Sequence, residues 1–118
     1  MALQIRRTDN FESIKNSPIE LFEKYAKEEI KSNSSISIFL ATDDEGVKEY
    51  FGKKFPEHIF YNPARADRKS REGIINGMAE LEILSSCKKI YGSYRSSYSE
   101  FAAMKGGGEL IVVRNDHL

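Results

Sequence analysis

The chain has 118 residues and one cysteine, so no internal disulfide can staple it and a buried core must hold it together. Cys87 sits in an apolar helical pattern, where a buried, inert thiol is expected, and a reducing cytoplasm is the predicted setting. Neither sign of charge is in excess: 18 Lys and Arg balance 18 Asp and Glu, and without a basic surplus a nucleic-acid partner is not expected. No apolar run approaches the roughly 20 residues that a bilayer-spanning helix needs. The segment from Met1 to Asp9 is too short and polar for a signal peptide, so the chain reads as soluble, without a membrane span. Glycine-rich phosphate signatures are also missing. No dinucleotide fingerprint or P-loop follows any strand-like run, which disfavours an ordinary Rossmann dehydrogenase or a P-loop nucleotidase. His58 and His117 have no cysteine or histidine at metal-ligand spacing, so neither zinc nor any other cofactor is expected. There is no internal repeat, low-complexity tail or linker, and the length suits a single domain over residues 1–118.

What remains is a regular alternation of short apolar runs and amphipathic stretches. A first strand is predicted around Leu3 to Arg6. Ser17-Pro18-Ile19-Glu20 then combines a cap serine, proline at the first helical position and glutamate at the capping-box position, so a helix starts there. Its apolar residues Phe22, Tyr25, Ala26 and Ile30 recur at three- and four-residue steps. Ile36 to Ala41 reads as a strand covered on both faces. Thr42-Asp43-Asp44 offers caps for a helix carrying Val47, Tyr50 and Phe51, with Gly52 as its stop. Ile59 to Tyr61 is a short third strand, followed by a polar loop to about Lys69. From about Ser70 to Ser86 a longer helix carries Ile74, Ile75, Met78, Leu81 and Leu84 at helical spacing. Lys89 to Gly92 reads as a fourth strand, and Ser93 to Ser97 as a polar turn. Tyr98, Phe101, Ala102 and Met104 mark a short amphipathic helix that ends near Gly106 to Gly108, and Leu110 to Val113 is a fifth strand. Strands alternating with helices predict an α/β fold: a three-layer, Rossmann-like domain with a mainly parallel sheet of about five strands and right-handed crossovers.

In such sheets ligands bind outside the carboxyl ends of the strands, so Arg6 to Asn10, Thr42 to Asp44 and Ser93 to Ser97 should share one edge. Paired arginines at a strand end suit an anionic ligand, since a guanidinium is planar, permanently charged and able to bond phosphate oxygens bidentately. Ser93, Ser96 and Ser97 lie where a strand hands over to a helix, a place that offers free backbone N–H groups and the positive helix pole to a phosphate. A serine there can equally cap the helix. Asp43 and Asp44 read as a helix cap, or as acceptors for sugar hydroxyls, in preference to a divalent-ion site. Lys53-Lys54 and the Arg65 to Arg71 cluster read as solvated charge, with Arg68 or Arg71 within reach of a bound diphosphate.

The blocks Arg6-Arg7-Thr8-Asp9, Ser17-Pro18-Ile19-Glu20, Phe39-Leu40-Ala41-Thr42-Asp43-Asp44, Glu80-Leu81-Glu82-Ile83-Leu84-Ser85 and Ser93 to Ser97 occur in family order. Together, from Gln4 to about Val113, they resemble the nucleotide-binding half of fucosyltransferases of the alpha-1,6 and nodulation type. The resemblance implies that Arg6 binds the β-phosphate of GDP-fucose and stabilises the departing GDP, with Arg7 as its structural or sugar-contacting neighbour. It places Ser96 and Ser97 near the diphosphate. Glu80 falls where the family has an aspartate that reads guanine, and Asp9 on the acceptor side as base or base-orienting group, with Glu12 the other candidate. Gln4 stands where the family commonly has a histidine beside the nucleotide, and glutamine retains hydrogen-bonding capacity. By resemblance the partners are a GDP-sugar donor and a glycan acceptor, and transfer would invert the anomeric carbon without a metal. In the family an acceptor-binding domain precedes this half, whereas this chain opens within the first strand. The expectation is therefore a half whose acceptor site a separate acceptor-domain polypeptide supplies, and the apolar surface left by a missing domain also suits a homo-oligomer. A non-catalytic nucleotide-binding module, or an α/β interaction domain that binds no nucleotide, stands beside it.

Overall fold

A computed structural model of the chain describes residues 1–6, 18–62, 71–93 and 97–113, with all their side chains save those of 72–74, 76, 97 and 98. Nine elements follow one another along these segments: β1 (Ala2–Ile5), α1 (Ile19–Ser32), β2 (Ile38–Thr42), α2 (Glu45–Lys54), β3 (Ile59–Tyr61), α3 (Arg71–Ser86), β4 (Lys89–Ser93), α4 (Ser97–Gly106) and β5 (Glu109–Val113). The strands form one five-stranded sheet in the order β3-β2-β1-β4-β5, and every pair is parallel. This is the expected α/β layering, with the chain moving outward from β1 to β3, then crossing back over to β4 on the other side.

Pairing register assigns the two faces. Leu3 aligns with Leu40 and Tyr91, and Leu40 with Tyr61, so Leu3, Ile5, Ile38, Leu40, Tyr91 and Val113 share the face that α1 and α2 cover with Phe22, Ala26, Val47, Phe51 and Phe55. Ala2, Phe39, Ala41 and Ile90 share the other, under Leu84 of α3 and Ala102 and Ala103 of α4. Phe22 and Phe51 are wholly buried, each contributing about 1.5–3 kcal/mol of apolar transfer free energy. On the first face Tyr25 of α1 stacks on Tyr91 of β4 with ring centroids 4.8 Å apart. Glu29, one turn along α1, accepts hydrogen bonds from the Tyr91 hydroxyl at 2.6 Å and from the Lys89 ammonium at 3.0 Å. The Tyr91 hydrogen bond, seconded by Lys89, holds the Glu29 carboxyl below the usual range although partial burial opposes it.

The structure differs from the sequence expectation at several ends. Helix α1 begins at Ile19 with an extended Pro18 as its N-cap and no side-chain cap, while Ser17 lies outside the described residues. Gly52 does not stop α2, which continues to Lys54 because Phe51 and Phe55 still have core to bury. Cys87 lies just past α3, half-buried, its thiol on the Ile83 carbonyl at 3.3 Å, and burial pushes its pKa up, as suits an inert thiol. Apolar stripes on α3 and α4 are the larger surprise. Leu84 is buried and Leu81 partly so, yet Ile75 and Met78 are exposed, and on α4 Phe101 and Met104 face outward while Ala102 and Ala103 pack inward. Close approach explains the inversion. A Cβ on Gly106 would overlap the Ser85 carbonyl at the end of α3, so the two helices approach closely there, and on α4 the residues turned inward are the small Ala102 and Ala103. Helix α4 ends, as its glycines suggest, on Gly107 at φ 73°, whose N–H bonds the Ala103 carbonyl.

Gly106→Ala is expected to lower the unfolding free energy by at least about 1–3 kcal/mol. Gly77→Ala, on α3 with nothing within 4 Å of an added Cβ, should raise it by about 0.5–1 kcal/mol; urea titration of both variants checks the contrast. Because the Glu29 pKa is lowered by folding, its contribution is present above the unfolded carboxylate value and disappears as pH falls through the folded one. Glu29→Gln should therefore be less stable than wild type at neutral pH, with the difference shrinking in acid; a pH-independent difference would contradict this assignment.

Candidate functional site

The strand order reverses between β1 and β4, and at such a switch point the loops leaving two adjacent strands diverge to opposite sides and open a crevice. Ile5 ends β1 and Ser93 ends β4, so Arg6 is the first residue beyond the sheet at the mouth of this crevice. Ser93 ties the ends of the two strands together at this switch point. Its hydroxyl, 2% exposed with the residue, accepts the Arg6 backbone N–H at 2.9 Å and donates to the Gln4 carbonyl at 3.2 Å. A side chain thus adds one rung to the β1–β4 ladder and fixes the backbone from which the Arg6 guanidinium departs.

One residue pair inside the edge, register aligns Ala41, Gln4 and Gly92 across β2, β1 and β4 on the face covered by α3 and α4. The row is a long amide between two residues with almost no side chain. Gln4 is 7% exposed, and its Oε1 is a buried acceptor with no hydrogen-bond partner. Orphaned buried acceptors are rare because each forfeits its hydration without return, and a ligand donor is one way to satisfy such a group. Beside Gly92 stands Ser99 of α4, 1% exposed; a Cβ on Gly92 would lie 2.8 Å from the Ser99 Cβ. The missing side chain lets the first turn of α4 settle onto the carboxyl end of β4.

The other sequence-nominated residues are distributed as follows. Asp44 is the N-cap of α2, its Oδ1 accepting from the N–H groups of Gly46 at 2.8 Å and Val47 at 3.3 Å, so the capping reading holds for it. Its own N–H donates to the Thr42 hydroxyl. Asp43 is half-buried at the same edge, after β2. Glu80 is half-buried on α3, and burial pushes its carboxyl up while Lys48 draws it down and Glu45 raises it. Ser97 opens α4, four residues after Ser93, at the carboxyl edge; nothing is described of its side chain. Arg7, Asp9, Glu12 and Ser96 lie outside the described residues, as do Arg65 and Arg68. The structure thus brings Gln4, Arg6, Asp43, Asp44, Ser93 and the start of α4 to one edge of the sheet. Among the described residues no three His, Cys, Asp or Glu side chains gather into a metal-binding group, and no helix is long and apolar enough to cross a membrane.

Sequence reasoning passed over Lys48. It looks like one more charge on the wet side of α2, yet it is 4% exposed, its ammonium 2.9 Å from Glu45 and 5.9 Å from the Tyr61 ring centroid. A signal was present: Lys48, Phe51 and Phe55 follow at steps of three and four, which puts the lysine on the buried stripe.

No family model and no curated protein matches the chain. Solved structures do share its fold. NodZ alpha-1,6-fucosyltransferase co-crystallized with GDP aligns with a TM-score of 0.60 at 20% identity, over 86% of this chain and 33% of that one. The same enzyme soaked with GDP-fucose gives 0.60 at 21% over 86% and 34%. The apo-form of POFUT1 gives 0.64 at 11% over 95% and 40%. The fold is therefore one found in fucosyltransferases, and the chain spans 33% to 40% of the length of these structures.

Removing the rung between β1 and β4 tests this tie. Ser93→Ala should lower stability by about 1–3 kcal/mol, since it removes the partner of one buried and one part-buried backbone group; a loss within a few tenths in urea unfolding would show that the hydroxyl does not hold the strands.

Proposed function

We propose that this chain is a GDP-sugar-binding domain of the fucosyltransferase kind, with the diphosphate at the carboxyl ends of β1 and β4 and the base within reach of the Gln4 amide. The observation that carries the reading is the pairing at the end of one strand: an arginine at the mouth of the switch-point crevice and, two residues inside it, a buried amide oxygen without a partner. A nucleoside diphosphate suits the two chemically, offering anionic oxygens to the arginine and N–H or O–H donors to the unpartnered amide oxygen. The fold shared with an enzyme crystallised with GDP, and soaked with GDP-fucose, supports the same ligand class.

In this reading Arg6 neutralises the β-phosphate and the first turn of α4, with Ser96 and Ser97, supplies N–H and hydroxyl donors to the diphosphate. Gln4 and Glu80 read the base, the carboxylate accepting the ring N–H and amino group of guanine together. Arg7, Asp43 and Asp44 lie on the side of the sugar. Transfer is an inverting displacement: the acceptor oxygen bonds to the anomeric carbon as the bond from that carbon to the β-phosphate oxygen breaks. The bonding pair leaves with GDP, and Asp9 takes the acceptor hydroxyl proton. Charge develops on the leaving diphosphate, where preorganised cationic and N–H donors contribute a few kcal/mol each, roughly 2.7–4 for one well-placed donor. No metal is required for that neutralisation.

Calorimetric titration with GDP, GDP-fucose, UDP and ADP, first with chelator and then with a divalent ion, tests the reading. Selective binding of the guanine diphosphates, unchanged by the ion, is expected. Arg6→Ala should weaken GDP by about 10- to 100-fold, the loss of a charge-assisted contact, with the thermal midpoint retained. No affinity for any nucleotide, or undiminished GDP affinity in the variant, would overturn the assignment.

A further inference from the structure

The turns at the amino edge of the sheet, 33–37, 55–58, 87–88 and 107–108, all lie within the described residues. In a parallel α/β layer the crossover helices run against the strands, so α1 and α2 finish at this edge, opposite the one that carries Arg6. Between their ends and the turn that leads into β3 lies a cleft of about 430 Å³, a size typical of small-molecule sites.

Part of its lining is apolar and held in place. Ile30 of α1 and Phe55, just past α2, both pack on the core, and Pro56 stands beside them. Backbone bonds pin the turn: the His58 N–H donates to the Phe55 carbonyl at 3.1 Å, and the Ile38 N–H to the His58 carbonyl at 2.8 Å. The His58 ring is fixed as well, its Nδ1 2.8 Å from the Ile36 carbonyl, and since a carbonyl only accepts, Nδ1 carries the proton.

Lys27 and Lys31, one turn apart on α1, and Lys54 at the end of α2 line the same cleft. Lys27 and Lys54 converge on one oxygen of Glu23, at 2.9 and 3.8 Å, while the other oxygen takes the Tyr50 hydroxyl. One carboxylate thus answers two ammonium groups. Lys31 has no carboxylate partner among the described residues, and Glu57 is the acidic residue of the lining. Three ammonium groups against the carboxylates of Glu23 and Glu57 leave a surplus of one positive charge. Lysines near the end of a helix also answer its negative pole, as Lys31 and Lys54 do. That role needs no apolar cleft beside them.

We propose that this cleft is a second ligand site, at the sheet edge opposite Arg6, for a small amphipathic monoanion: an apolar body against Ile30, Phe55 and Pro56, with one carboxylate among Lys27, Lys31 and Lys54. Lysine meets such a head as a point charge on a flexible stem. An inorganic anion would leave the apolar lining in water, and a neutral apolar molecule would leave the surplus charge unanswered.

Amide NMR titration of the full chain with octanoate tests the site. Shifts are expected at Lys27 to Lys31 and at Phe55, Glu57 and His58. Octanol, which keeps the chain without the charge, should bind several-fold more weakly, and acetate, which keeps the charge without the chain, should not shift these amides. Titration with 2-naphthoate, expected at the same amides, distinguishes a planar body from a linear one by its affinity relative to octanoate. Lys31→Gln should weaken octanoate by about two- to fivefold, the loss of one exposed charge, and leave octanol unchanged. Lys53→Gln, on α2 but outside the cleft, should change neither. Added GDP should leave the octanoate shifts in place. The proposal is overturned if neither carboxylate shifts these amides, if octanol binds as tightly as octanoate, or if Lys31→Gln retains full octanoate affinity. Displacement by GDP, or shifts confined to the exposed Met78 and Met104 of α3 and α4, would overturn it equally.

Discussion

A strand covered on both faces can send its backbone polar groups only sideways, and β1 is such a strand, every one of its residues buried. Parallel ladders to β2 and β4 satisfy most of those groups. The difficulty comes where the ladder toward β4 gives out, at the Arg6 N–H and the Gln4 carbonyl. Ser93 resolves it with a hydroxyl that both accepts from Arg6 and donates to Gln4. The strands stay joined through their last residues, with Arg6 held directly beyond them.

The two faces of the sheet are built differently, and the difference bears on function. Beneath α1 and α2 the contacts are made by large side chains, such as the Tyr25–Tyr91 stack anchored through Glu29. Beneath α3 and α4 they are made largely by small ones: Ala41, Gly92, Ala102, Ala103 and the Gly106 approach to Ser85. The small-residue face is also the one on which Gln4 presents an unpartnered oxygen. Tight packing there turns Phe101 and Met104 outward, which leaves apolar surface on the outside of α3 and α4.

Much of the fold was legible in the chain because its signals are local. Alternation of apolar runs with helical periodicity identified the strands and helices described here, and the double coverage of Ile38 to Ala41 followed from its unbroken apolar run. The Asp44 cap was readable from its place before a helix. The inverted stripe of α4 was not, since periodicity records which residues share a face and not which face has room. The burial of Lys48 was legible only in its spacing to Phe51 and Phe55: a charged residue three positions from a glutamate otherwise resembles a solvated pair until the neighbouring elements close over it.

Element types, their order and the parallel layering were settled by the sequence itself, because propensity, capping and hydrophobic period act over a few residues and depend on nothing distant. The placement of the candidate site was decided by tertiary structure. Residues 87 positions apart meet in the Arg6–Ser93 bond, and the Gln4 oxygen becomes an orphan only when α3 and α4 cover it. Burial, register and electrostatic coupling are properties of groups brought together across the chain, and no local pattern encodes them.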